Sequence, residues 1–319
     1  MGAAVAGAVA AVTARAAYAG LRRRPPAGEK TWTRTNHRGE PVTLIEGPGV
    51  AAGAITAELI GASSRGSRSS RAAALAGAGA LAFGIVDDLA GSGKRRGLRG
   101  HLTALAHGEV TTGTVKLGGL AATGLVSSAT AAGSPVDVVI NAGLIAGGAN
   151  LLNLFDLRPG RAIKVAALSA GLIAAGSALA GGPASQATGR DRAAGLAAVA
   201  APMGAALALL PEDLGERAML GDAGANALGA MLGAAAAGSL PRTARIGLLA
   251  GIVALTVTSE KVSFTAFIER TPPLRWLDML GRRPATGGRH RRVESGVTPV
   301  RSSGRFPGFF LKPPARQEP

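Results

Sequence analysis

PVDVVINAGLIAGGANLLNLFD, residues 135–156, is the stretch on which the fold turns. From 135 to 153 it is long and apolar enough to cross a bilayer as one helix, which needs roughly 17–25 such residues. Yet it ends on Asn150, Asn153 and Asp156. Residues three apart share a helix face, so two amides and a carboxylate line one stripe. Asn and Asp at a helix end are often caps. Two Asn residues inside an apolar run exceed what capping requires, and polar groups at membrane depth mark function by default.

Two more segments have this form. GIVDD (Gly84 to Asp88) closes an apolar run with adjacent acids, and GDAGANALG (Gly221 to Gly229) opens another with Asp222. Carboxylates at a helix C-terminus meet its partial negative charge, so Asp87 and Asp88 call for a cation. Asp222 taken alone is an ordinary N-terminal Asp. Gly221 and Gly224 beside it allow close backbone approach.

Working outward, about nine spans follow: 1–20, 43–62, 71–90, 113–132, 135–153, 161–181, 193–210, 220–240 and 243–258. This is an all-α, polytopic helical bundle whose small residues favour close helix packing. Aromatic residues make up 3% of the 319 residues, too few for a bulky soluble core. Without cysteine the chain has neither disulfides nor a thiolate zinc site. The net charge of +16 does not point to nucleic acid, because the basic residues lie between apolar blocks and not on one face. Alternate loops instead hold 27 and 7 of the Lys and Arg residues, or 15 and 7 without the C-terminal tail. Cytoplasmic loops carry the excess, which puts the N-terminus outside and all three motifs on the cytoplasmic face. Met1 to Gly20 competes with a signal peptide, but its basic residues, Arg22 to Arg24, follow the apolar stretch. A retained span explains that order better.

Residues 1–282 therefore form a single transmembrane domain, and 283–319 a basic, disordered cytoplasmic tail rich in Arg, Gly, Pro and Ser. Ser259 to Arg282 is expected to be an amphipathic interfacial helix. Mg²⁺ takes oxygen ligands, commonly one or two carboxylates with waters and phosphates. Lys94, Arg95, Arg96, Arg99 and Lys116 suit phosphate oxygens; the same residues also serve as topology signals. His37, His101, His107 and His290 show no metal-ligand spacing.

The ordered triplet resembles the polyprenyl-phosphate N-acetylhexosamine-1-phosphate transferases, the family of phospho-N-acetylmuramoyl-pentapeptide transferase and the GlcNAc-1-phosphate transferases. Those enzymes carry an Asp-Asp pair, an N-x-x-N-x-x-D-G motif and a G-D-x-G-S motif in this order. The resemblance spans roughly residues 30–280. It implies transfer of a sugar-1-phosphate from a UDP-sugar to polyprenyl phosphate, with release of UMP. The setting would be cell-wall (peptidoglycan) or surface-glycan synthesis at a bacterial plasma membrane. By the same resemblance Asp87, Asp88 and Asp156 are catalytic, and Asp156 and Asp88 hold Mg²⁺. Asn150, Asn153, Lys116, Arg158 and Asp222 bind substrate. The partners are the two substrates and membrane lipids, with a homodimer compatible. Departures are Leu157 for Gly, Pro159 for a second acid, Ala225 for Ser, and the absence of a His-rich motif in the last cytoplasmic loop. They make a pentapeptide-muramoyl substrate doubtful. They also leave open a degenerate relative that binds polyprenyl phosphate or a membrane partner without chemistry. A transporter would need acids near the membrane midplane, whereas these sit at one end.

Overall fold

The computed structural model describes residues 2–90, 100, 103–104, 106–180 and 189–284. Lys94, Arg95, Arg96, Arg99, His101, His290 and the basic tail lie outside the described residues. The chain is mostly helical. In order it runs α1 (Ala3–Arg23), α2 (Glu29–Trp32), β1 (Thr33–Thr35), β2 (Pro41–Thr43), α3 (Glu46–Arg65), α4 (Arg68–Ala90), α5 (Thr112–Ala129) and α6 (Pro135–Phe155). It continues with α7 (Arg161–Ala180), α8 (Gly189–Leu214), α9 (Gly221–Ser239), α10 (Arg242–Ser259), α11 (Phe264–Arg270) and α12 (Pro272–Met279).

A long helix lies over each of the nine apolar segments. By length and composition, five of them can cross a membrane: α1, α4, α6, α7 and the Leu196–Leu214 part of α8. A sixth qualifies if α10 and α11, bent by 94°, are one broken span. One of the others, α9, has a physical reason to be less apolar. In α9 every residue from Ala223 to Ala236 is buried, so the helix faces protein on all sides. Interhelical contact there asks for small residues, and Gly and Ala lower its hydropathy. Gly148 of α6 and Gly229 of α9 meet backbone to backbone, and Gly47 and Gly224 do the same for α3 and α9.

Local signals set the helix ends. Thr111 caps α5 by accepting from the Thr114 amide, at 3.1 Å. Ser134 caps α6 from the Asp137 amide, with Pro135 at the first helical position. At that end of the bundle Asp137 binds Arg242 and Arg245, and Ser127 of α5 donates to the Ala72 carbonyl of α4. The three motifs gather at the other end.

Two features depart from expectation. Ser259 to Arg282 forms two short helices in place of one, because the Thr271-Pro272-Pro273 step breaks the helix. Phe267, Leu274, Trp276 and Leu280 on this segment are exposed. Arg161 at the start of α7 anchors it, donating to both carboxylate oxygens of Asp278 at 2.7 and 3.0 Å. The second departure is a small antiparallel hairpin, with Thr33 opposite Thr43 and Thr35 opposite Pro41. Asn36 Oδ1 accepts from the Arg38 and Glu40 amides and shapes its turn. Thr43 bridges to Ala218, which lays the hairpin beside the segment between α8 and α9.

Candidate functional site

The N-terminus of α9 is the meeting point. A helix start exposes amides without intrahelical partners and a partial positive charge. Asp88, from the last turn of α4, fills that role: its two oxygens accept from the Asp222 and Ala223 amides at 3.0 and 2.9 Å. The approach depends on Gly84, where a Cβ would stand 2.6 Å from the Ala223 Cα. Gly221 adds a left-handed turn, φ 61°, and a Cβ there would come within 3.0 Å of the Asp88 carboxylate.

Asp87 and Asp222 share a cation. Lys116, buried in α5, reaches Asp87 at 2.9 Å and Asp222 at 2.5 Å. Thr112 also hydrogen-bonds Asp87. This ammonium answers the unfavourable charge of Asp87 at the C-terminus of α4, while the α9 amides answer that of Asp88.

Asp156 enters from the C-terminal end of α6 and accepts a backbone hydrogen bond from Gly221. Burial holds its carboxyl well above the usual carboxylate range. Asp213, Asp222 and Asp88 push it the same way, with Asp213 the strongest of the three. The carboxylates of Asp88 and Asp156 thus meet the amides of three consecutive residues, Gly221, Asp222 and Ala223.

Beside Asp156 lies a cavity of about 190 Å³. Asp156, Arg158 and Pro159 form one wall, Asp213 and Glu216 a second, and Thr35, Asn36 and His37 of the hairpin a third. Glu216 is engaged, by Asn36 Nδ2 at 2.9 Å and Arg38 at 2.9 Å. Asp213 is 2% exposed, and its Oδ2 has no partner among the described residues. Burial lowers the pKa of His37 despite the nearby Glu216. Asn150 and Asn153 are half-buried in the last turns of α6, and among the described residues neither side chain bonds the acids.

Asp213, Glu216, the hairpin and Glu46 are absent from the sequence-derived site. Glu46 is fully buried, with both carboxylate oxygens unpartnered among the described residues. In sequence Asp213 and Glu216 sit in a charged, loop-like stretch, where a solvated side chain is the ordinary expectation, whereas Glu46 lies inside the apolar segment 43–62. A Glu-Asp pair closing an apolar run at Glu212-Asp213 is the same signal that marks Asp87-Asp88.

A divalent cation fits this site. Among the described residues no three His, Asp or Glu side chains gather as a metal cluster. Mg²⁺ needs only one or two protein carboxylates, and the buried, unpartnered oxygen of Asp213 next to Asp156 offers such a place. Two apolar cavities lie along α6 and α7. One, of about 630 Å³, runs between Phe155, Val165, Leu255, Phe264 and Leu277. The other, of about 250 Å³, lies among Leu152, Val165, Leu232 and Leu248. The chain matches no protein-family model and no curated protein.

Proposed function

We propose that the chain is a membrane transferase moving a sugar-1-phosphate, of the N-acetylhexosamine type, from a UDP-sugar to polyprenyl phosphate. The observation that carries this proposal is the convergence of Asp88, Asp156 and the Asp222 amide at one helix N-terminus. Asp88 and Asp156 occupy the amides of that terminus, which fixes the two carboxylates side by side at the positive end of α9. Beside it lie a lysine and a carboxylate suited to a hard cation, and the apolar cavity lined by Phe155, the residue before Asp156, matches a lipid tail.

In the proposed bundle nine helices span the plasma membrane of a bacterium, with the N-terminus outside and the acids at the cytoplasmic face. An oxygen of the lipid phosphate attacks the phosphorus next to the sugar. One P–O bond forms there, the P–O bond to UMP breaks, and UMP leaves with the electron pair. Such exchange needs charge neutralisation and in-line positioning more than a strong base. Asp156 would hold Mg²⁺, and the ion would supply charge neutralisation for the diphosphate oxygens. Asp87 and Asp88 orient the attacking phosphate. Lys116 offers its ammonium to the same oxygens, and Arg158 meets the nucleotide from the cavity wall. Asp222 keeps Lys116 in place.

The test is UMP release by the purified protein from UDP-N-acetylhexosamines with polyprenyl phosphate and Mg²⁺. Asp156→Asn is expected to lower it by on the order of 10²–10³-fold while the protein still inserts and folds. Lipid-phosphate binding without UMP release from any UDP-sugar would select the non-catalytic relative. Leu157, Pro159 and Ala225, which break the family pattern, favour that alternative.

A further inference from the structure

We propose that Asp213 is the second protein carboxylate of the divalent-cation site, beside Asp156, in the cavity roofed by the hairpin. The inference rests on the transferase proposal for what the cation serves, and on geometry for where the cation sits.

The acids near α9 are not equivalent. Asp88 has both oxygens committed to the Asp222 and Ala223 amides, which takes it out of the metal role that the resemblance implies. Asp87 and Asp222 already share the Lys116 ammonium. Glu216 is held by Asn36 and Arg38. Glu46 is buried but does not line the cavity. Asp156 and Asp213 remain, and both face the same cavity.

Asp213 carries the signature of a missing partner. It is 2% exposed, and its Oδ2 is buried with no hydrogen bond among the described residues. The Gly160 amide bonds the carboxyl but leaves Oδ2 bare; a buried polar atom without a partner is costly, and a buried charge is normally paired or bound to a metal. The cations that act on Asp213, Lys164 and Arg282, are both engaged by Asp278: Lys164 donates to its carbonyl at 2.6 Å, and Arg282 pairs with its carboxylate at 2.8 Å. Within the cavity Asp156 and Asp213 present oxygen ligands only, and two carboxylates suffice for Mg²⁺. The volume of about 190 Å³ admits the ion with several waters, at roughly 30 Å³ each. Arg158 on the same wall stands ready for a phosphate oxygen.

The experiment is Mn²⁺ binding to the purified full chain in detergent, followed by electron paramagnetic resonance, without and with UMP. The wild type is expected to bind Mn²⁺ at one site, displaced by Mg²⁺. Asp213→Asn and Asp156→Asn should each weaken it by at least about tenfold, and Asp88→Asn should leave it within about threefold. Thermal unfolding gives a second readout that does not depend on turnover. Asp213→Asn, isosteric and freed of a buried charge, should melt higher than wild type in EDTA and lose the rise that Mg²⁺ gives the wild type. Wild-type Mn²⁺ affinity and an unchanged Mg²⁺ response in Asp213→Asn would overturn the proposal, as would absence of Mn²⁺ binding by the wild type under both conditions. Intact Mn²⁺ binding with no UMP release would instead refute the transferase and leave the cation site standing.

Discussion

Gly221 holds its backbone at φ 61° while its Cα faces the Asp88 carboxylate. Any L side chain there pays for the left-handed conformation and crowds the carboxylate as well. Gly221→Ala is expected to destabilise the protein by about 1–3 kcal/mol, measured by thermal unfolding in detergent. Lys116 is the residue whose loss should matter most to the charge balance. With a side chain 10% exposed, it stands between Asp87 and Asp222. Removing one partner of such a buried pair costs about 3–5 kcal/mol, so Lys116→Met should lower the unfolding midpoint strongly. Adding Asp87→Asn to Lys116→Met should recover part of the loss, because one uncompensated carboxylate is then gone. A double variant no more stable than the single one would argue against the shared-cation description. At this scale Asp87, Asp88, Asp156 and Asp222 are legible without coordinates, because three motifs in order place them at the ends of apolar blocks. Asp213 also closes an apolar block, but its neighbours hide it. It sits in PEDLGER, residues 211–217, where Glu212 pairs with the exposed Arg217 and only burial separates the two neighbouring acids.

The segment after α10 shows what an element adds. Its exposed Phe267, Leu274 and Trp276 agree with an interfacial position, and the prolines at 272 and 273 split it in two. What holds it is Asp278, which is 7% exposed. Burial alone would raise that carboxyl. The hydrogen bonds and charge of Arg161, with Arg282 and Lys164, outweigh burial and keep the pKa below its ordinary value. A carboxylate depressed in the folded state contributes stability fully above its unfolded pKa, about 3.9, and loses it as pH falls through the folded value. Docking of α12 should therefore be constant from neutral pH down to about pH 5 and fade below about pH 4. Hydrogen exchange of residues 264–280 across that range measures it, and Asp278→Asn should show the undocked pattern already at neutral pH. Protection in Asp278→Asn equal to that of the wild type would mean that apolar contact alone holds the helix.

For the molecule as a whole, the connections alternate between two ends of the bundle. His107 is exposed in the connection before α5, and Gly133 is exposed in the connection after it. Because the chain has no cysteine, single substitutions His107→Cys and Gly133→Cys give a clean label at each end. In the proposed orientation only Gly133→Cys reacts with an impermeant thiol reagent from outside intact cells, and His107→Cys reacts in inverted vesicles. The reverse pattern would turn the bundle over and expose the acids to the wrong side for a cytosolic nucleotide. From the sequence alone came the helical class, the approximate limits of nine apolar segments and the four motif acids. Each depends on local chemistry: the length of an apolar run, the spacing of polar residues along a helix, and the cost of a charge in hydrocarbon. Only the tertiary structure decided that α9 is wrapped on every side and that a hairpin roofs the site. It alone showed Lys116 answering the charge of Asp87 and Asp222, and Asp213, not its neighbour Glu212, turned inward beside Asp156. Those outcomes depend on contacts between residues dozens to more than a hundred positions apart, where burial and pairing are properties of the packed bundle and no local pattern encodes them.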